Sequence, residues 1–147
     1  MKRVLVIGPE SSGTRLMFRL LREHPDLQVF HRSMPYGADA ERRWPTATNF
    51  DGLDPQALIV MIRDHAATVA SQVRHHVSDA ATAARNIREA LRRLTAVERP
   101  WMHVTYEGLV AHPLSTMNSV YAWLGVDPVP LAETIYDGNA AYDMEVM

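Results

Sequence analysis

The sequence predicts a three-layer α/β domain, with a central parallel sheet flanked by helices. Short apolar runs of strand length recur at residues 2–7, 57–62 and 101–106. Segments with apolar residues at helical spacing lie between them. Strands that alternate with helices are joined by crossovers, which cover both faces of a parallel sheet.

The elements follow in chain order. "KRVLVI", residues 2–7, is an apolar run ending at Gly8, as a buried parallel strand should be. Leu16, Met17, Leu20 and Leu21 share one helical face within residues 13–23, and Pro25 closes that helix. "LQVF", residues 27–30, reads as a second short strand. Residues 32–55 carry Pro35, Gly37, Pro45, Gly52 and Pro55 without a period, so a long loop is expected. "ALIVMI", residues 57–62, has the pattern of a central strand. Asp64 then caps a helix running to about His76. A further helix from about Ser78 places Ala80, Ala84, Ile87, Leu91 and Leu94 in one stripe. "WMHVTY", residues 101–106, is the fourth strand. A helix from about Pro113 carries Met117, Val120, Tyr121 and Leu124 and stops at Gly125. The tail after Asp127 shows little pattern.

Composition narrows the functional classes. A chain of 147 residues, 47% hydrophobic and 22% charged, predicts one soluble domain over 1–147. No apolar run approaches the ~18–20 residues of a membrane span, and the apolar part of "MKRVLVIG" is too short for a signal peptide. Without cysteine, neither a disulfide framework nor a thiolate metal site is expected, and the cytoplasm is the predicted compartment. All 15 basic residues lie at or before Arg99, and Lys2 is the only lysine among them. Arginine suits bidentate contacts to phosphate or sulfate. The basic residues are too sparse for a nucleic-acid face, so no nucleic-acid partner is expected.

The stretch "VIGPESSGTRLMFRLL", residues 6–21, carries the most chemistry. Gly8 and Gly13 have the spacing of the phosphate-cradling loop Gly-x-x-x-x-Gly-Lys-Ser/Thr, between a strand and a helix. Thr14 stands in the lysine position, and Arg15 follows. In such a loop, successive N–H groups and the helix N-terminus make an anion site. After the 57–62 strand, Arg63 and Ser71 lie eight residues apart, two helical turns, which suits a charge and a hydroxyl bracketing one phosphate. Tyr106 and Glu107 follow the fourth strand. Ligands of open parallel sheets bind beyond the C-terminal ends of strands, where all three segments are expected.

Together these segments resemble the sulfotransferases that use 3′-phosphoadenosine 5′-phosphosulfate, whose fold is P-loop-like. The family's first loop reads roughly Pro-Lys/Arg-Ser-Gly-Thr-Thr, against Pro9-Glu10-Ser11-Ser12-Gly13-Thr14-Arg15 here. "GTRLMFRLLREHPDL" is similar to the Gly-Thr-Thr-Leu-Met…His-Pro-Asp pattern of tyrosylprotein sulfotransferases. Arg63 and Ser71 match the family's 3′-phosphate pair, and "YEGLVAHP…WLGV" resembles its later Tyr-Glu-Asp-Leu block. The resemblance spans most of residues 4–126. It implies that Ser11, Ser12, Gly13, Thr14 and Arg15 hold the 5′-phosphosulfate and Arg63 and Ser71 the 3′-phosphate, with Tyr106 also among the cofactor-binding residues. Such a loop works through backbone N–H donors, so a lysine at position 14 is not required. Ser11 stands where the family has a basic residue, and Arg15 is the substitute at hand. A late basic loop over the 3′-phosphate has no counterpart after Arg99, and Arg74 is one replacement.

The implied reaction is sulfuryl transfer to a hydroxyl by in-line displacement, without a metal. His31 follows the second strand near the position of the tyrosylprotein enzymes' glutamate base, and its ordinary pKa of ~6.5 suits a general base. Glu10 is the alternative base. Tyr36, Trp44 and Phe50 in the 32–55 loop offer stacking surfaces for a sugar or phenol acceptor, and a homodimer could complete that pocket. Two other readings compete: a P-loop nucleotide kinase with a degenerate loop, and a non-catalytic module binding this nucleotide or another.

Overall fold

The computed structural model describes residues 1–34, 53–76 and 79–142. Within them the chain is an α/β structure with a parallel sheet of β1 (Lys2–Pro9), β2 (Leu27–Met34), β3 (Ala57–Ile62) and β4 (Trp101–Thr105). The strand order is β2-β1-β3-β4, and every pairing is parallel. The helices are α1 (Thr14–Leu21), α2 (His65–His76), α3 (Ala80–Thr95), α4 (Tyr106–Ala111) and α5 (Pro113–Leu124), with a 3-10 turn at Gly138–Tyr142.

The alternation of β1 and β3 side chains divides the core in two. Val4, Val6, Ile59 and Met61 face Met17, Leu20 and Leu21 of α1 and Met117, Val120, Tyr121 and Leu124 of α5. Leu5, Ile7, Leu58 and Val60 face Ala90 and Leu94 of α3. Both faces of the central strands are covered, so these strands are apolar throughout rather than alternating. Burying each such side chain contributes about 1.5–3 kcal/mol, which fixes the sheet as a three-layer core.

The crossover after β1 covers one face of the sheet with α1, and the crossover after β3 covers the other with α3. Adjacent parallel strands whose crossovers diverge open a crevice between their C-terminal ends. The loop after β1 and the residues after β3 border that crevice.

Several boundaries differ from expectation. β2 continues past Phe30 to Met34, because it pairs with β1 along its whole length, from Lys2 with Leu27 to Pro9 with Met34. An edge strand tolerates the mixed polarity of "HRSM", which carries no apolar signal. Residues 32–34 of the expected loop are therefore strand, and residues 35–52, with Tyr36, Trp44 and Phe50, lie outside the described residues. Tyr106 does not end β4 but starts α4, since Thr105 accepts from the Gly108 N–H at 3.1 Å and caps the helix. Asp64 caps α2 as expected, accepting from the Ala67 N–H at 2.8 Å. For α3 the cap is Asp79, and residues 77–78 lie outside the described residues. Its buried face is Ala83, Asn86, Ile87, Ala90 and Leu94, so the stripe is rotated from the expected one and Ala80 is exposed.

The tail after α5 is a strap. Gly125, with φ 75°, ends α5 in the left-handed conformation, and the Val126 N–H donates back to the Tyr121 carbonyl at 3.0 Å. Val126, Val129 and Ile135 pack against the α1/α5 core. The buried His24 ring fixes the start of the strap. Its Nδ1 accepts from the Asp26 N–H, so its Nε2 carries the proton and donates to the Asp127 carbonyl at 2.7 Å. Further on, Arg19 of α1 holds both carboxylate oxygens of Glu133. Among the described residues no helix is long and apolar enough to cross a membrane.

Candidate functional site

The loop after β1 is shaped to present N–H groups. The Ser12 N–H donates to the Pro9 carbonyl at 3.1 Å and closes the turn. Ser11 and Gly13 both have positive φ, 69° and 98°. Gly13 then caps α1 without a side-chain hydrogen bond, and the first intrahelical bond runs from Met17 N to Gly13 O. The N–H groups of the first turn of α1 thus lack intrahelical acceptors, and no acidic residue stands in that turn. This end of the helix carries partial positive charge.

Arg63, one residue past β3, reaches this loop. Its Nη1 donates to the Ser11 carbonyl at 3.0 Å and its Nε to Asn139 Oδ1 at 2.6 Å. The guanidinium stacks on the Tyr106 ring, 4.7 Å from its centroid. Tyr106 is itself buried and held by the strap: its hydroxyl accepts from the Gly138 N–H at 2.7 Å and donates to the Tyr136 carbonyl at 3.2 Å. The Asp64 N–H donates to Glu107 Oε1, which ties the tip of β3 to α4.

A cavity of about 330 Å³ opens here, lined by Glu10, Ser11, Gly13, Thr14, Arg15, Ser33, Arg63 and His75. It brings together Ser11, Gly13, Thr14, Arg15 and Arg63 of the sequence-derived set. Thr14 Oγ1 lies 3.2 Å from Ser33 Oγ, joining the loop to the tip of β2.

The other expected residues are placed differently. Ser12 is fully buried, and its hydroxyl has no hydrogen-bond partner among the described residues. It lies 2.5 Å from where a Cβ on Gly8 would stand, so it packs beneath the loop. Ser71 is buried in α2 and is not among the cavity-lining residues. Tyr106 acts on the cavity through Arg63 rather than by lining it. Because β2 is longer than expected, His31 pairs with Val6 within the strand, and Ser33 takes the tip position. The His31 ring packs against Phe18, with centroids 4.7 Å apart, and its buried Nδ1 has no hydrogen-bond partner among the described residues. Burial, then the charges of Arg15 and Arg32, push its pKa below the ordinary histidine value, while Glu10 opposes them. Arg15 and Glu10 line the cavity, whereas His31 is not among its lining residues.

Ser33, Gln72, His75 and Asn139 were not legible as site residues. Gln72 Nε2 donates to the Glu10 carbonyl at 2.8 Å and fixes the loop from α2. The sequence carries no signal for Ser33, because "HRSM" joins β2 only through its pairing with β1. Among the described residues no cluster of three or more potential metal ligands occurs. Comparison with protein-family models finds no match for this chain, and comparison with curated proteins finds none.

Proposed function

We propose that the crevice binds 3′-phosphoadenosine 5′-phosphosulfate and that the protein transfers its sulfuryl group to a hydroxyl acceptor. One observation carries the reading: Arg63, from β3, lines the same cavity as the uncapped start of α1 and is bonded to the loop that begins it. An anion with two separated charged groups is what such a pair of positive sites would hold.

The fit of residues to this donor is uneven and informative. The first-turn N–H groups of α1 and Arg15 suit the 5′-phosphosulfate, and Arg63 suits the 3′-phosphate. Thr14 and Ser33 supply hydroxyls on the β2 side of the cavity. Ser71 would reach the 3′-phosphate only after a rearrangement, so the reading rests on Arg63.

In the proposed reaction, the acceptor oxygen bonds to sulfur while the bond from sulfur to the bridging phosphate oxygen breaks. The electron pair of that bond leaves on adenosine 3′,5′-bisphosphate. The loop N–H groups and Arg15 stabilise the charge developing on the leaving phosphate. His31, kept neutral by its environment, takes the acceptor's proton from the β2 side of the cavity. Glu10, which lines the cavity, is the alternative base. The acceptor is proposed to be a sugar or phenol hydroxyl, and the protein to work in the cytoplasm, with a homodimer as one way to complete the acceptor pocket.

Thermal-shift measurement with adenosine 3′,5′-bisphosphate, against ATP with magnesium, tests the binding step. Stabilisation by the bisphosphate is expected, and stabilisation by Mg-ATP alone would favour a nucleotide kinase. Transfer of radiolabelled sulfate to phenols and sugars then tests the chemistry. Binding without transfer would make the protein a nucleotide-binding module.

A further inference from the structure

Asn139 lies 76 residues from Arg63 in sequence, yet its Oδ1 accepts from the arginine's Nε at 2.6 Å. The 3-10 turn that carries it fits tightly against the crevice. A Cβ on Gly138 would stand 2.6 Å from the Tyr106 hydroxyl and 3.6 Å from Arg63 Nη2, so a larger residue there would collide with the tyrosine. The missing side chain lets the Gly138 N–H reach that hydroxyl at 2.7 Å. Asp137 supports the turn, its Oδ1 accepting from the Asn139 N–H at 2.9 Å. Arg63 is therefore held on three sides: by Asn139 at Nε, by the Ser11 carbonyl at Nη1, and by the Tyr106 ring across its plane. With these contacts made, it still lines the cavity.

We propose that Asn139 is a positioning residue, and that the strap over residues 136–142 forms part of the anion site by fixing the Arg63 guanidinium. The inference rests on the proposed donor reading, since the ligand it serves is the nucleotide's 3′-phosphate. An arginine has four side-chain torsions to immobilise when it grips an anion, and ordering them opposes binding. Asn139 removes that cost in advance by locking one edge of the guanidinium with a neutral acceptor. A carboxylate at this position would instead compete with the anion for the same charge. The strap is anchored far from the crevice, by His24 on Asp127 and Arg19 on Glu133, so its end is delivered to Arg63 by a tethered chain.

The test is a double-mutant cycle read by calorimetry with adenosine 3′,5′-bisphosphate. Asn139→Ala should weaken binding about tenfold, the scale of one hydrogen bond to a charged group. In an Arg63→Ala background the same change should cost less than about twofold, because its target is gone. Asn139→Asp should weaken binding more than Asn139→Ala. Binding of adenosine 5′-phosphate should be little changed by Asn139→Ala or Asn139→Asp. NMR of the arginine Nε–H groups gives a readout without ligand: the Arg63 signal should lose protection from solvent exchange in Asn139→Ala. If the wild-type protein does not bind the bisphosphate, the donor reading fails and the ligand role of Asn139 fails with it. If the wild type binds and Asn139→Ala binds equally well, the donor reading stands and this proposal is overturned. An equal loss in both backgrounds would also overturn it, because a merely structural residue behaves that way.

Discussion

Arg63 Nη1 and the Ser11 carbonyl oxygen are 3.0 Å apart, and this bond joins the tip of β3 to the loop that follows β1. Ser11 adopts a positive φ of 69°, uncommon for a side chain of its type, and its carbonyl serves as the arginine's acceptor. The two strand tips that flank the crevice are thus coupled before any ligand arrives.

Removing that arginine should separate two nucleotides. Arg63→Ala is expected to weaken adenosine 3′,5′-bisphosphate by ~1.5–3 kcal/mol, the scale of a charge-assisted contact. Adenosine 5′-phosphate lacks the 3′ group and should lose far less. Calorimetry with both nucleotides checks this, and equal losses would mean that Arg63 only braces the loop.

The role of His31 can be read from rate and from stability. His31→Ala should lower sulfate transfer by ~10²-fold or more while leaving bisphosphate binding nearly unchanged. The acidic limb of the pH–rate profile should lie below the ordinary histidine value and vanish in the variant, because burial, Arg15 and Arg32 lower this pKa. If Glu10→Gln abolished transfer and His31→Ala did not, the base would be Glu10. The sign for folding follows from the same shift. The unfolded chain binds the proton first, near pH ~6.5. The contribution of the neutral ring is therefore fully present above that pH and is lost as pH falls through the lower folded-state value. Denaturant melts of wild type and His31→Leu between pH 7.5 and pH 5 should show a smaller acid loss in the variant.

Gly13 and Gly125 form a natural pair of controls. Both have positive φ, but a Cβ at Gly13 would lie 3.0 Å from Tyr106 Cδ2, whereas Gly125 has nothing within 4 Å. Gly125→Ala should cost about 1–2 kcal/mol, the strain of a left-handed alanine alone. Gly13→Ala should cost more and should also displace Tyr106 from Arg63, weakening the bisphosphate. Urea melts with binding titrations distinguish the two, and identical behaviour would show that Tyr106 yields freely.

His24 should prove structural rather than catalytic. It is 3% exposed and bonds both the Asp26 N–H and the Asp127 carbonyl. His24→Ala leaves those two groups without their side-chain partner and opens a space beside Tyr121, so a loss of about 2–4 kcal/mol is expected in urea denaturation. Sulfate transfer per folded molecule should be retained, and a selective loss of turnover at full stability would contradict the assignment.

The sequence by itself determined the layers and the glycine-bounded loop after β1. Apolar runs such as "VLVI" and "ALIVMI" have one use in a chain this size, a strand buried on both faces, and the helical stripes between them have to cover it. The Gly8–Gly13 spacing and the position of Arg63 follow from local order, because each sits directly after a strand and the strands are parallel. Tertiary structure decided what local order does not encode. The extension of β2 to Met34 depends on pairing with β1, and it moved His31 off the tip and put Ser33 there. The burial of Ser71 depends on how α2 packs, since helical spacing gives a face but not which neighbour covers it. Asn139 meets Arg63 only because the strap is pinned by His24 and Arg19 on its way across the α1/α5 face. A contact spanning 76 residues leaves no periodicity to read, for its partners are brought together by the path of the chain rather than by their neighbours in it.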